Sequence, residues 1–290
     1  MLAVSDCKII ALSWNEPLLT HPRLDTRIAG TIENYYRTFE QLLDCQVDSL
    51  VVPCTQRGIV LSNQLGSRHR VLAEPYLDGY EAFDKLNLRR QQYDIAHLLI
   101  PCYSVRDPLL PLPALVKPRM GHSSQNQVVL KKRADGIHLH EGYFAEPLLS
   151  SERDEYSLTI VASSAGRKWS CIRRIEQQDG HTVVASRDVP SAPRAFAQEI
   201  AERANLDVIY NMQFAWLGDS GVIFDLNPRF GNAELFRTCF GFNFISAWLS
   251  QSSIALSDAT TLTEVAANAA ITAKICQLVD KPKGLYQNTQ

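Results

Sequence analysis

The stretch from Val208 to Asn227 limits the fold more than any other part of the chain. Two apolar-rich runs, Val208 to Trp216 and Val222 to Asn227, flank Leu217-Gly218-Asp219-Ser220-Gly221. Short β-rich runs separated by a Gly/Asp/Ser cluster predict an antiparallel hairpin. Side chains alternate between the faces of a strand, so Tyr210, Met212, Phe214 and Trp216 are expected to share one face with Val222, Phe224 and Leu226. Asn211, Gln213, Asp225 and Asn227 then share the other. With the turn centred on Asp219, Gln213 falls opposite Asp225, and Asn227 lies two residues further along. Oxygen donors with a single net negative charge suit Mg²⁺, which keeps part of its shell for phosphates and water. Arg229 stands within reach of the same anion. The same pattern also describes the solvent-washed face of an ordinary hairpin.

With 290 residues, the chain is long enough to bury a large core and to divide into two or three parts. Its net charge of −2 gives no polybasic surface for nucleic acid and no acidic tail. There is no apolar run long enough to span a membrane, and the N-terminus lacks a signal peptide's pattern. The seven cysteines are dispersed without close pairs, which argues for reduced thiols and a cytoplasmic protein.

Three regions follow from the patterning, at 1–80, 81–149 and 150–290. In the first, strands at Lys8–Leu12, Ser49–Pro53 and Arg70–Ala73 alternate with helices at Thr31–Leu43 and Gly58–Leu65, as in a parallel α/β layer. One helix is expected from Tyr80 to about His97, then a Pro-rich segment, then a small antiparallel sheet over 114–149. Strands at Tyr156–Ala162, Trp169–Ile175 and Thr182–Ala185 join the hairpin in a larger sheet. Helices are expected at Pro193–Ala204 and Ala233–Phe240. His138 and His140 read as a strand face, Cys239 as a buried thiol, and the aromatic residues Phe236 to Trp248 as core.

Two further segments can contribute to a site. Ala114 to Pro118 is a strand ending at Lys117, followed by Gly121-His122-Ser123-Ser124. An ammonium beside a Gly/Ser turn suits phosphate oxygens, although exposed hairpin turns look alike. Glu146-Pro147-Leu148, followed by Glu155, can present backbone groups to a base edge and a carboxylate to ribose hydroxyls.

Taken in order, these residues resemble the ATP-grasp superfamily, and within it a synthetase half of the carbamoyl-phosphate synthase large chain. The likeness covers Lys8 to Phe244 and is strongest in Gln213-Phe214-Ala215 with Asp225-Leu226-Asn227-Pro228-Arg229. The resemblance implies an α+β fold in which two antiparallel α+β subdomains clamp ATP behind a shortened parallel α/β domain. It implies that Lys85 and Lys117 contact phosphates beneath a loop formed by Gly121, His122, Ser123 and Ser124. Glu146 and Leu148 would frame the adenine and Glu155 the ribose. Gln213, Asp225 and Asn227 would hold Mg²⁺, with Mn²⁺ as an alternative ion, while Arg229 and Lys117 would serve as catalytic cations. Arg173 and Arg174 are candidates for gripping an anionic substrate, and strand alternation lets only one of them face the cleft.

The activity implied is ATP-dependent joining of a small carboxylate to an amine through an acyl phosphate, with no nucleic-acid or membrane partner. Two alternatives stay open: a nucleotide-binding module without turnover, and phosphorylation of bicarbonate or carbamate. The chain departs from the family pattern in four places. It begins at what would be the family's second strand, so that either the start is truncated or the domain is remodelled and its sheet edge covered by a partner chain, as a homodimer would do. Asp225 stands where Glu is usual, the loop after Gly121 has one glycine, and Lys131 to Gly142 is short for a crossover helix.

Overall fold

The computed structural model describes residues 50–53, 56–64, 70–77, 79–121, 126–132, 142–163, 166–178, 180–231 and 233–239. It also describes strands at 9–13, 24–28, 262–264 and 272–274, and a few single positions.

The first region contains two parallel strand pairs. Strand β1 (Ile9–Ser13) pairs with β2 (Leu24–Ile28), and β3 (Leu50–Val51) with β4 (Arg70–Val71). The pattern of the sequence did not anticipate β2. Helix α1 (Gln56–Gln64) lies between β3 and β4 and buries Ile59, Val60 and Leu61. The helix expected over 31–43 lies largely outside the described residues, although Arg37, Thr38 and Gln41 are helical.

The single helix expected from Tyr80 to His97 is instead three pieces. A 3₁₀ turn (Tyr80–Phe83) precedes α2 (Lys85–Gln91), and a second 3₁₀ stretch (Tyr93–Leu98) follows. Asp84 interrupts the helix by capping α2, its Oδ1 accepting the Leu86 N–H at 2.9 Å. Gln92 breaks it again with φ −95° and ψ 47°. Its buried side chain clamps Asn205, donating to the carbonyl at 2.6 Å and accepting from the amide at 3.0 Å. A long-range pair of hydrogen bonds thus outweighs the local helical preference.

A three-stranded antiparallel sheet follows, in the order β6 (Val128–Leu130), β5 (Ala114–Pro118), β7 (Tyr143–Pro147). Ala114, Val116 and Ala145 face a small core that includes Leu110 and Leu130, which leaves Leu115, Lys117 and Glu146 on the opposite face. The larger sheet is built from β8 (Asp154–Ser163), β9 (Gly166–Gln178), β10 (His181–Ser186), β11 (Ile209–Leu217) and β12 (Ser220–Asn227). Two short strands, β13 (Leu262–Glu264) and β14 (Thr272–Lys274), pair with β9 and β10.

Helix α3 (Ser191–Arg203) covers one face of the large sheet. Pro193 is tolerated in its first turn, and Ala197, Ile200 and Ala201 pack on Tyr156, Leu158, Tyr210, Met212 and Phe214. Alternation then sends Glu155, Ser157, Thr159, Asn211 and Gln213 to the opposite face. Part of that face is covered by α4 (Glu234–Cys239), where Ala233 and Phe236 pack on Ile172 and Ala185. Phe236 and Phe244 are buried, in keeping with core aromatic residues. The segment 99–103 ties the two sheets together, with Ile100 N–H donating to Ile223 O and Tyr103 N–H to Ala145 O, both at 2.9 Å.

The hairpin forms with Gln213 opposite Asp225, but by a different route from the one expected. Its turn is the two-residue loop Gly218-Asp219, closed by Leu217 and Ser220. Gly218 takes φ +61°, a conformation that favours glycine at that position. The tighter turn shifts the register by one residue, and a β-bulge at Phe224 shifts it back before Asp225. The bulge corrects the expected facing. Ile223, not Val222 or Phe224, is the buried partner of Phe214, and Phe224 turns toward the polar side.

Candidate functional site

A cleft of about 270 Å³ opens between the inner faces of the two sheets. Its cationic lining comprises Lys85, Lys117, Arg153, Arg174 and Arg229, from five separate places in the chain. Three carboxylates, Glu146, Glu155 and Asp225, oppose those five, so the lining carries an excess of positive charge. Such a concave, cation-rich cleft suits a polyanion.

Lys117 is held by β5 and is only 6 % exposed. Its ammonium pairs with Glu146 and donates to the Phe224 carbonyl at 3.2 Å. The bulge supplies that contact, because an extra residue leaves its carbonyl outside the strand ladder. Glu146 also pairs with Arg89 of α2, whose other nitrogen donates to Ile100 O at 3.0 Å. Lys85, the first residue of α2, donates from its ammonium to Pro118 O at 3.0 Å. Burial pushes the Lys85 pKa down, with Asp225 opposing that shift and Lys117 adding to it. The two lysines and Asp225 therefore share one electrostatic neighbourhood. Gly121 lines the mouth of the cleft at φ +129°, a conformation that side-chain-bearing residues rarely adopt. His122, Ser123 and Ser124 lie outside the described residues.

On the other wall, Glu155 of β8 accepts from Arg153 Nε and Arg174 Nη1, each at 2.8 Å. Arg174 also donates from Nη1 to Gln213 Oε1 at 2.8 Å and from Nε to Thr182 Oγ1 at 2.9 Å. Arg173 points away and pairs with Asp154 at 2.7 Å, so of the two arginines only Arg174 faces the cleft. Leu148 lines the cleft half-exposed, but its N–H donates to Pro113 O at 3.0 Å and is not presented to a ligand. Asn227 donates from Nδ2 to Asp225 Oδ2 at 2.7 Å. Arg229 lines the cleft and donates to Phe230 O at 2.8 Å.

Mg²⁺ takes oxygen ligands and is commonly held by one or two carboxylates plus phosphate oxygens. Asp225 with Asn227 provides one carboxylate and one amide oxygen, a set that fits an ion completed by a bound phosphate, whereas the oxygen of Gln213, the third expected ligand, accepts from Arg174.

Patterning gave no sign of the polar network beneath this floor. Asn211, 1 % exposed, donates from Nδ2 to Ser157 Oγ at 3.0 Å and Thr159 Oγ1 at 2.9 Å. Thr159 passes the chain on to Glu234 at 2.5 Å, and Glu234 pairs with buried Arg237 at 2.7 Å. Arg237 also donates to the carbonyls of Ser157 and Ser170 at 2.6 and 3.1 Å. Gly231 lies so close to Asn211 that an added Cβ would meet its Oδ1 at 2.5 Å. The clue available in the sequence was Asn211 itself, on the polar face of the hairpin. Glu234 and Arg237 belong to a short helix and carry no signal of their own.

No protein-family model and no curated protein matches the chain. Solved structures do. N5-carboxyaminoimidazole synthetase from Staphylococcus aureus superposes with a TM-score of 0.61 at 14 % identity, over 80 % of this chain and 66 % of that one. Biotin carboxylase from Campylobacter jejuni, in a β,γ-ATP complex, gives 0.61 at 9 %, over 81 % and 62 %. The biotin carboxylase domain dimer of Hydrogenobacter thermophilus 2-oxoglutarate carboxylase, with MgADP and bicarbonate, gives 0.62 at 9 %, over 84 % and 64 %. The chain thus has the ATP-grasp fold and spans somewhat less than two thirds of these three relatives' lengths. Among the described residues no helix is long and apolar enough to cross a membrane.

Proposed function

We propose that this chain is an ATP-dependent ligase that joins a small carboxylate to an amine through an acyl phosphate, with Mg²⁺ as its ion. The observation that carries the reading is the convergence of Lys85, Lys117, Arg229 and Asp225 on one cation-rich cleft. That cleft belongs to a fold whose solved relatives include complexes with ADP, MgADP and a β,γ-ATP ligand. Phosphoryl transfer depends on positioning and charge neutralisation more than on a covalent nucleophile, and these are the groups the cleft supplies.

In this reading Lys85 and Lys117 bind phosphate oxygens, and Arg229 neutralises charge on the transferred phosphoryl group. Asp225, with Asn227, would hold the ion, which would screen the phosphates and align them for in-line attack. Glu155 accepts from the ribose, and Gly121 borders the phosphates at the edge of the cleft. The small sheet with α2 and the large sheet act as the two jaws, and a homodimer is the proposed assembly. We assign neither Arg173 nor Arg174 to the substrate carboxylate, because both are bound to neighbouring side chains.

Calorimetric titration of Mg²⁺-ATP, with ADP release followed in the same samples, tests the reading. Binding to the wild type should weaken at least tenfold in Asp225→Ala, a loss of about 1.4 kcal/mol. ADP release should rise when the right carboxylate and amine are added. Failure of the wild type to bind any nucleotide would sink the proposal.

A further inference from the structure

The three expected metal ligands are unequally placed to hold a cation. Asp225 is the one carboxylate among them, and among the described residues no three His, Cys, Asp or Glu side chains gather as a metal-binding group. A carboxylate can only accept hydrogen bonds, so the amide of Asn227 must turn its NH₂ toward Asp225, at 2.7 Å. A guanidinium can only donate, so Gln213 must turn its oxygen toward Arg174, at 2.8 Å. Mg²⁺ bound to that oxygen at its usual distance of about 2.1 Å would lie within about 5 Å of the guanidinium nitrogen. Arg174 is only 5 % exposed, so little water screens the repulsion. Nor is the guanidinium free to withdraw, being fastened to Glu155 at 2.8 Å, Thr182 at 2.9 Å and the Gly180 carbonyl at 3.0 Å.

We propose that the cleft takes its nucleotide with a single divalent cation, on Asp225 and Asn227, and that Arg174 occupies the place of a second cation on the Gln213 side. The inference rests on the nucleotide reading given above and specifies its ion requirement. The fixed positive charge that a second ion would lend to a polyphosphate is built into β9. Glu155 and Gln213, with Thr182, serve as its anchors, which is why one arginine of β9 joins residues of β8, β10 and β11.

The test counts ions, not turnover. The full chain is saturated with the β,γ-imido analogue of ATP and titrated with Mn²⁺, and the free ion is read by electron paramagnetic resonance. One Mn²⁺ per bound nucleotide is expected for the wild type and for Arg174→Lys, which keeps the charge. Two are expected for Arg174→Gln, in which Gln213 is released. Two ions on the wild type would overturn the inference while leaving the nucleotide site intact. A folded Arg174→Gln that binds the analogue with only one ion would overturn the role of Arg174. If the wild type does not bind the analogue, the nucleotide reading fails and takes this inference with it. Should Arg174→Gln not fold, Gln213→Glu decides instead: one ion supports the proposal, because the new carboxylate pairs with Arg174, and two overturn it.

Discussion

Glu74 and Glu146 are both shut off from solvent, at 0 % and 1 % exposure, yet they are neutralised by different means. Glu74 lies in the segment after β4, and its two oxygens accept the N–H groups of Asp207, Val208 and Ile209 at 2.9, 2.9 and 2.6 Å. Burial raises its pKa, and those three donors offset only part of that rise. It closes the entry to β11 and pins the first region to the large sheet. Glu146 is met by two side-chain cations, Lys117 and Arg89, and one of them faces an open cleft. Burial of a carboxylate therefore does not mark a site. Backbone donors saturate Glu74 and leave nothing for a ligand, whereas the cation opposite Glu146 can still turn toward one.

Removing each carboxylate should separate these roles. Glu74→Ala leaves three buried N–H groups without acceptors, at about 1–3 kcal/mol each before relaxation, and should cost about 4 kcal/mol in urea denaturation. Millimolar ATP or tripolyphosphate should raise its melting temperature no more than it raises that of the wild type. Glu146→Ala leaves two cations uncompensated, of which Lys117 can hydrate through the cleft, and should cost about 3 kcal/mol. Here the polyanion should recover much of the loss, because a bound phosphate replaces the missing carboxylate. Equal rescue of both variants would erase the distinction between them.

Two glycines extend the comparison at a smaller scale. At Gly221 an added Cβ would meet the Phe196 ring at 2.7 Å, on the face packed against α3. Gly221→Ala should cost about 2 kcal/mol by overpacking and leave nucleotide affinity unchanged. At Gly231 the Cβ would meet Asn211 beneath the cleft floor. Gly231→Ala should cost about 1 kcal/mol in stability but weaken nucleotide binding about tenfold, because the displaced turn carries Arg229. Calorimetry on the two variants side by side checks both.

The contrast between these regions was only partly legible in the sequence. Strand and helix periodicity located most elements of the large sheet, because Tyr156, Leu158 and Ile160 alternate cleanly with Glu155, Ser157 and Thr159. The bulge was hidden, because Val222-Ile223-Phe224 is apolar throughout and lets a register slip by one residue without changing the pattern. What decides it is the two-residue turn at one end and the Lys117 contact with the Phe224 carbonyl at the other. Glu74 was equally silent, since its partners are backbone groups 133 to 135 residues away. Arg173 and Arg174 could be narrowed to one by alternation, but the choice between them required the register of β8 against β9. Neither break in the helix expected over Tyr80–His97 was anticipated: Asp84 caps α2 from within the expected helix, and Gln92 answers to the distant Asn205.

The smallest effect tests whether the Asp84 link between α2 and the small sheet is electrostatic. Asp84 caps α2 through Leu86 and pairs with Arg119 at the end of β5, while the Lys85 N–H donates to Arg119 O at 3.0 Å. Burial alone would raise its carboxyl pKa, but the Arg119 hydrogen bond and the Leu86 N–H outweigh burial and hold it below the ordinary aspartate value. A carboxyl depressed in the folded state contributes stability above its unfolded pKa and loses it as pH falls through the folded value. Asp84→Ala should therefore cost about 1 kcal/mol at pH 7, the usual worth of a side-chain cap. The difference from wild type should shrink once pH drops below about 4. Denaturation curves at pH 7 and at successive values down to pH 3 measure it. A penalty independent of pH would mean that Asp84 acts through packing, and that Lys85 is placed by the fold of the 79–84 turn and not by the charge beside it.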